Sequence, residues 1–123
     1  MYKITVEEHF DAAHFLRGYQ GKCEALHGHR FTVVVSLSAS GLDELGMAYD
    51  FTELKKHLRK ILARLDHICL NDLEPFDRIN PSSENIATVI YNELAPALEG
   101  APASLASVEV WESPRSRAAY YPD

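Results

Sequence analysis

Residues 27–37 read HGHRFTVVVSL, and this stretch decides the fold. Every second residue in it is a histidine or an apolar residue: His27, His29, Phe31, Val33, Val35 and Leu37. A repeat of two residues is typical of a β-strand with one buried face. The stretch therefore predicts a strand that starts at the His-Gly-His motif and ends near Ser40-Gly41, where a turn is favoured.

The segment before it has the same periodicity. In residues 3–14 two alternating sets occur: Ile4, Val6, Phe10, Ala12 and His14 share one parity, and Thr5, Glu7, His9 and Asp11 share the other. This pattern predicts a second strand. Residues 15–26 contain Gly18 and Gly21 and are predicted to be a loop. If the two strands are antiparallel neighbours, His14 lies opposite the His-Gly-His pair.

Two later segments change to a helical period. In residues 51–65 the apolar residues recur at steps of three and four, which predicts an amphipathic helix capped by Asp50 or Thr52. A second helix is predicted to follow Ser82 or Ser83 and to end at Gly100 and Pro102. Its apolar positions are Ile86, Val89, Ile90, Leu94 and Leu98.

Two further strands complete the predicted fold, a short one at 46–50 and a last one at 105–112. The order strand, strand, strand, helix, helix, strand indicates an α+β fold. We expect an antiparallel four-stranded sheet with two helices packed on one face. The length of 123 residues predicts a single domain over 1–123.

The composition excludes several function classes. The net charge of −6 argues against a nucleic-acid partner, because phosphate contacts need clustered Lys and Arg. We expect no membrane span and no signal peptide, since no apolar run is long enough and the chain starts MYKIT. We therefore predict a cytoplasmic protein whose Cys23 and Cys69 are free thiols.

Three histidines are expected to converge on one face of the sheet. His27 and His29 point to the same side of a strand, roughly 6.5–7 Å apart, and His14 would lie opposite them. Three imidazoles with an open fourth position are typical of a catalytic zinc site. The alternative is that each histidine is simply packed and hydrogen-bonded, which is common for a lone histidine on an apolar face.

Three more groups have two interpretations each. Cys23, four residues before His27, is either a fourth ligand that closes a structural site or a thiolate base. Asp66-His67 follows the first helix, so it is either an acid/base pair or a solvated helix end. Glu112 is expected on the same strand face as Val108 and Val110, so its carboxylate is either solvated near the sheet edge or hydrogen-bonded to a ligand.

Six motifs occur in order: FDAAH at 10–14, CEALHGH at 23–29, GMAYDF at 46–51, LDH at 65–67, PSSEN at 81–85 and VWES at 110–113. Together they resemble the 6-pyruvoyltetrahydropterin and 6-carboxytetrahydropterin synthase family over almost the whole chain. The resemblance implies the tunnelling fold, in which trimers close their sheets into a barrel and stack as a hexamer. It also implies active sites at the interfaces of this homo-oligomer.

The resemblance further implies roles for the candidate residues. His14, His27 and His29 would bind Zn²⁺, and Cys23, Asp66 and His67 would transfer protons. Glu112 would anchor the pterin ring of a small-molecule pterin triphosphate substrate. The three residues between Cys23 and His27 match the bacterial carboxy-type spacing, whereas pyruvoyl-type enzymes usually have more. The implied reaction converts 7,8-dihydroneopterin triphosphate into the 6-carboxy product, toward queuosine; a non-catalytic zinc-stabilised domain is a remote alternative.

Overall fold

The computed structural model describes residues 1–19 and 25–123. The regular elements in these ranges follow the chain as five strands and two helices. They are β1 (Tyr2–His14), β2 (His27–Ala39), α1 (Phe51–Leu62), β3 (Ile68–Cys69), α2 (Ser83–Leu94), β4 (Ser104–Ser113) and β5 (Ser116–Tyr120). Short 3₁₀ turns at Leu70–Asp72 and Ala95–Leu98 follow β3 and α2.

The strands form one sheet in the order β3-β1-β2-β4-β5. All pairings are antiparallel except that of β3 with β1, which is parallel. The α+β class is confirmed. The long strands β1 and β2 are antiparallel neighbours, and His14 lies opposite the His-Gly-His motif as expected, at His27; further along, Phe10 lies opposite Phe31.

The predicted number of strands was wrong. Residues 46–50 are bends and irregular backbone instead of a strand, because the Asp43 carboxylate accepts the N–H groups of Leu45 and Met47 (2.9 Å each), and Gly46 has a φ of +81°. Two strands were missed: β3 has only two residues, and β5 follows β4 after a tight turn. The described sheet therefore has five strands instead of four.

Both helices cover the same face of the sheet. Asp50 caps α1, accepting the N–H of Thr52 (2.8 Å), and Ser82 caps α2, accepting the N–H of Asn85 (3.1 Å). α1 ends at Leu62, three residues earlier than predicted, although Leu65 in the following turn is still buried. Among the described residues, no helix has the length and apolar character needed to cross a bilayer.

The hydrophobic core lies between the helices and this face. Many of its central residues come from β1, β2 and the two helices: Phe10, Phe31, Val33, Val35, Leu54, Leu58, Ile86 and Ile90, each at most 1% exposed. The histidines continue the core-facing rows of β1 and β2 beyond Phe10 and Phe31. The packed core therefore fixes the position from which the imidazoles project.

Candidate metal centre and proton-transfer pair

The three predicted histidines converge at the end of the β1–β2 pair. His14 lies opposite His27, and Ala12 lies opposite His29. The ring centroids are 4.7 Å apart for His14 and His27, 5.3 Å for His14 and His29, and 4.6 Å for His27 and His29. One potential ligand atom from each histidine, and one from Glu112, lie within 4.8 Å of one another. The structure thus brings together four donors of the kinds that zinc binds.

The hydrogen bonds of the rings leave the Nε2 atoms available. Nδ1 of His14 lies 2.7 Å from the carbonyl of Pro81, and Nδ1 of His27 lies 2.6 Å from the carbonyl of Ala25. Because a carbonyl only accepts, each Nδ1 is the donor, and Nε2 of the neutral ring carries a lone pair. Such backbone hydrogen bonds are typical of histidines that ligate a metal.

The buried imidazole of His14 is in the right protonation state for a ligand. Its side chain is among the most buried polar groups, with a residue exposure of 2%. Burial lowers the pKa of His14, although the Pro81 carbonyl opposes this effect. Nε2 atoms of His14 and His29 have no hydrogen-bond partner among the described residues. A buried polar atom without a partner is costly, and a bound cation would satisfy both.

Glu112 joins the histidines, which the sequence analysis did not foresee. Its Oε1 atom lies 2.9 Å from Nε2 of His29 and 4.0 Å from Nε2 of His27. The closer pair is not aligned as a hydrogen bond, because Nε2 of His29 remains unpartnered. The pairing of Thr32 with Trp111 brings this end of β4 beside the start of β2. The contact could have been predicted only if the register between β2 and β4 had been known.

Asp66 and His67 form a second group with Asp11. The Asp66 carboxylate accepts the N–H of Asp11 (2.8 Å) through Oδ1, and its Oδ2 atom lies 2.8 Å from Nδ1 of His67. The N–H of His67 donates to the carbonyl of Asp11 (2.6 Å). The predicted contact between Asp66 and the imidazole is therefore present, and it lies beyond the end of α1, as expected.

His67 is held in an uncommon conformation and faces solvent. Its φ of +60° lies in the left-handed region, which is rare for residues other than glycine and is often found at functional sites. Its side chain is 77% exposed. Within the described residues this pair is not part of the histidine group. Cys23, the third predicted proton-transfer residue, lies outside the described ranges.

Sequence reasoning also missed an ion pair beside Asp66. Arg30 donates to both carboxylate oxygens of Asp11, with distances of 2.9 and 3.0 Å. The two residues are directly opposite each other on β2 and β1. Opposite charges at facing positions of the predicted hairpin were the available signal.

Comparison with known proteins decides the family. The sequence profile described as "6-pyruvoyl tetrahydropterin synthase" matches residues 3–123. The chain belongs to this family. Relatives named 6-carboxy-5,6,7,8-tetrahydropterin synthase include one from Synechocystis, 41% identical over 98% of this chain and 94% of the relative. Another, from Bacillus subtilis, is 33% identical over 98% of this chain and 86% of the relative.

Solved structures of other proteins have the same fold. The 6-pyruvoyl tetrahydropterin synthase of Caenorhabditis elegans superimposes with a TM-score of 0.85 at 29% identity, covering 100% of this chain and 98% of the other. An uncharacterized protein of Wolinella succinogenes gives a TM-score of 0.83 at 25% identity, covering 99% and 98%. The fold of the single chain that the resemblance implies is therefore confirmed.

Proposed function

We propose that this chain is a zinc-dependent carbon–carbon lyase, a 6-carboxytetrahydropterin synthase. It would convert 7,8-dihydroneopterin triphosphate and one water into 6-carboxy-5,6,7,8-tetrahydropterin, triphosphate and acetaldehyde, in the precursor pathway to queuosine. Near-full-length similarity to relatives with that name supports the product. The observation that carries the chemistry is the convergence of three imidazoles, two of which, His14 and His29, have a buried Nε2 atom with no hydrogen-bond partner in residues 1–19 and 25–123.

His14, His27 and His29 would hold the zinc ion through Nε2. In His14 and His27 the backbone hydrogen bond at Nδ1 favours that nitrogen as the ligand. In His29 the buried Nε2 has no hydrogen-bond partner among the described residues. When bound, zinc supplies a Lewis acid that acidifies C–H and O–H bonds next to the substrate oxygens it contacts. The set of three neutral nitrogens leaves room for substrate, as in catalytic rather than structural zinc sites.

The remaining candidate residues would divide substrate binding and proton transfer. Glu112 would anchor the pterin ring, since a carboxylate accepts two hydrogen bonds from an amide-and-amino edge. Cys23 as thiolate would remove a proton from the substrate side chain, and His67 would return one. Asp66 would orient His67, for which the 2.8 Å contact with Nδ1 is suitable. Nε2 of His67 would then be the atom that exchanges the proton.

We further propose that the complete site forms between subunits of a homo-oligomer, a trimer or hexamer. Asp11, which contacts Asp66 and His67 through its backbone, has the strand parity opposite to that of His14. Residues of opposite parity on a strand face opposite sides of the sheet. His67, exposed beside Asp11, is therefore better placed to serve a neighbouring chain than the histidines of its own.

Incubation of the zinc-loaded protein with dihydroneopterin triphosphate tests the reaction. The expected products are 6-carboxytetrahydropterin, triphosphate and acetaldehyde in equal amounts, identified by mass spectrometry. A pterin that keeps its three-carbon side chain, without acetaldehyde, would instead show the pyruvoyl-type reaction. If no pterin product forms and removal of the metal unfolds the chain, the zinc-stabilised structural domain is correct.

A further inference from the structure

The imidazole of His14 and the chain that follows β1 contact the same short segment. Nδ1 of His14 donates to the carbonyl of Pro81 (2.7 Å). Three residues after His14, the backbone of Arg17 contacts the side chain of Asn80, the residue before Pro81. Oδ1 of Asn80 accepts the N–H of Arg17 (2.9 Å), and Nδ2 donates to the carbonyl of Arg17 (3.0 Å). Covalent bonds and hydrogen bonds therefore join these four residues in a closed ring.

Further hydrogen bonds hold Asn80 and the residues before it. Nδ2 of Asn85, in the first turn of α2, donates to the carbonyl of Asn80 (2.8 Å). The guanidinium of Arg17 donates to the carbonyls of Phe76 (2.9 Å) and Ile79 (3.3 Å). Asn80 is thus bound both to the continuation of β1 and to the start of α2.

The position of Asn80 determines the direction of the Pro81 carbonyl. Pro81 is buried, and its ring fixes its φ angle. Ser82, the next residue, is the N-cap of α2, and this helix is anchored in the core through the buried Ile86. Because the helix side is packed, the half-buried Asn80 is the side from which this carbonyl can be released.

The main chain at His14 is held independently of Asn80. The buried side chain of Asn71 accepts the N–H of Phe15 (3.0 Å) and donates to its carbonyl (3.0 Å), and His14 itself is paired with His27. Loss of the Asn80 side-chain bonds would therefore leave the backbone of His14 in place and disturb the partner of its ring. A neutral imidazole without a fixed acceptor at Nδ1 is free to carry its proton on Nε2 instead.

We propose that Asn80 is a positioning residue, which holds the Pro81 carbonyl against Nδ1 of His14 so that Nε2 keeps its lone pair for the metal. The inference rests on the proposed role of His14 as a zinc ligand. Outer-shell partners of ligating histidines fix the orientation and the tautomer of the ring in this way. Asn80 acts here through the carbonyl of its neighbour and needs no contact with metal or substrate.

Two variants of Asn80 test the proposal. Asn80→Leu has a similar size and removes both side-chain hydrogen bonds, whereas Asn80→Asp keeps the acceptor for the N–H of Arg17 and loses the donor. Chelator competition should show that Asn80→Leu binds zinc about 10-fold more weakly, the low end of the effect of outer-shell changes, because the carbonyl itself remains. Asn80→Asp should lie between Asn80→Leu and the wild type. Asn92→Leu, at an exposed position of α2, is the matched control and should bind zinc normally.

Two further measurements connect the effect to His14. In a His14→Ala background, Asn80→Leu should cause no further loss of zinc affinity, whereas in a His27→Ala background it should keep its full effect. ¹⁵N NMR of the metal-free protein, at a pH where imidazole is neutral, reports the tautomer of His14 directly. The proton should be on Nδ1 in the wild type, and the form protonated on Nε2 should increase in Asn80→Leu.

Two results would overturn the proposal. One is a zinc affinity and a His14 tautomer in Asn80→Leu that equal those of the wild type, even with a lower melting temperature, since Asn80 would then only stabilise the fold. The other is an equal loss of affinity in the His14→Ala background, which would mean that Asn80 acts on another part of the site. If the wild type binds no zinc, the metal centre is refuted, and the NMR measurement still decides whether Asn80 orients His14.

Discussion

Nε2 of His29 lies 2.9 Å from Oε1 of Glu112, yet the two atoms do not form an aligned hydrogen bond. The carboxylate is thus near enough to be a metal ligand and exposed enough, at 28%, to reach a substrate. These roles have different consequences for metal content and for pterin binding. Substitution of Glu112 therefore separates them.

Glu112→Gln should weaken pterin binding by about 2–4 kcal/mol, because the amide presents one donor where the ring edge needs two acceptors. Zinc content and melting temperature should be unchanged. Calorimetry with a pterin product and metal analysis measure the two effects. Glu109→Gln is the matched control, since Glu109 is on the same strand but bonds Trp111 (3.0 Å). Loss of zinc in Glu112→Gln would assign Glu112 to the metal instead.

His27→Ala and His29→Ala should each lose both zinc and activity. Two imidazoles cannot replace three at a tetrahedral site, so affinity for the metal should fall by at least about 100-fold. His9→Ala is the control, because His9 is exposed on β1 outside the group. Metal analysis by mass spectrometry, together with circular dichroism to verify folding, gives the answer. Full zinc occupancy in His27→Ala would refute the assignment.

Local patterns were sufficient for the histidine group but not for its surroundings. Alternation in β1 and β2, and their adjacency in a hairpin, placed His14 opposite His27 without any distant information. The position of Glu112 beside the histidines depends on the pairing of β2 with β4, and the register of this pairing shifts between Ser36 and Leu37. No local repeat encodes such a long-range irregularity.

The other errors have equally physical causes. Helix α1 was predicted to extend to residue 65 because Leu65 continues the apolar spacing, but the chain leaves the helix after Leu62 and buries Leu65 in a turn. Strand β3 exists only through its pairing with Ala12 and Ala13 of β1. A two-residue strand has no periodicity of its own to detect.

Cys23→Ala should retain zinc and the fold but lose carbon–carbon cleavage. The reason is that the three imidazoles suffice to hold the metal, whereas the thiolate is proposed as the base. Metal analysis and product analysis of the same preparation test both parts. Cys69→Ala, the other cysteine, should remain active. If Cys23→Ala loses its metal, Cys23 is a fourth ligand and the site is closed.

His67→Asn should reduce turnover by about 10²- to 10⁴-fold, the usual contribution of one acid/base group, with zinc retained. Asp66→Asn should reduce turnover by a smaller factor, because the His67 imidazole remains and only the contact that orients it is weakened. Steady-state kinetics on zinc-loaded variants measures this order. Mixing inactive Cys23→Ala and His67→Asn chains should restore activity if sites are shared. No recovery after verified subunit exchange would contradict the shared site.

Asp66 should also make the stability of the fold depend on pH. Its folded-state pKa is lowered, chiefly by the N–H of Asp11. A carboxylate whose pKa is lower in the folded state stabilises the protein at pH values above its unfolded-state pKa of about 3.9. It loses this effect as the pH falls through the folded-state pKa. The melting temperature of Asp66→Asn should therefore be lower than that of the wild type at pH 7, and this difference in melting temperature should shrink below about pH 4.

Strand β1 presents His14 to one face of the sheet and Asp11 to the other. The placement of these two side chains on opposite faces therefore depends on the number of residues between them in the strand. Deleting a single residue between these two positions would move either His14 or Asp11 to the opposite face of the sheet. A change in the length of the segment 15–26 would leave both residues on their present faces. Evolution in this family is thus expected to accept insertions in that loop while keeping the length of the FDAAH segment at residues 10–14 invariant.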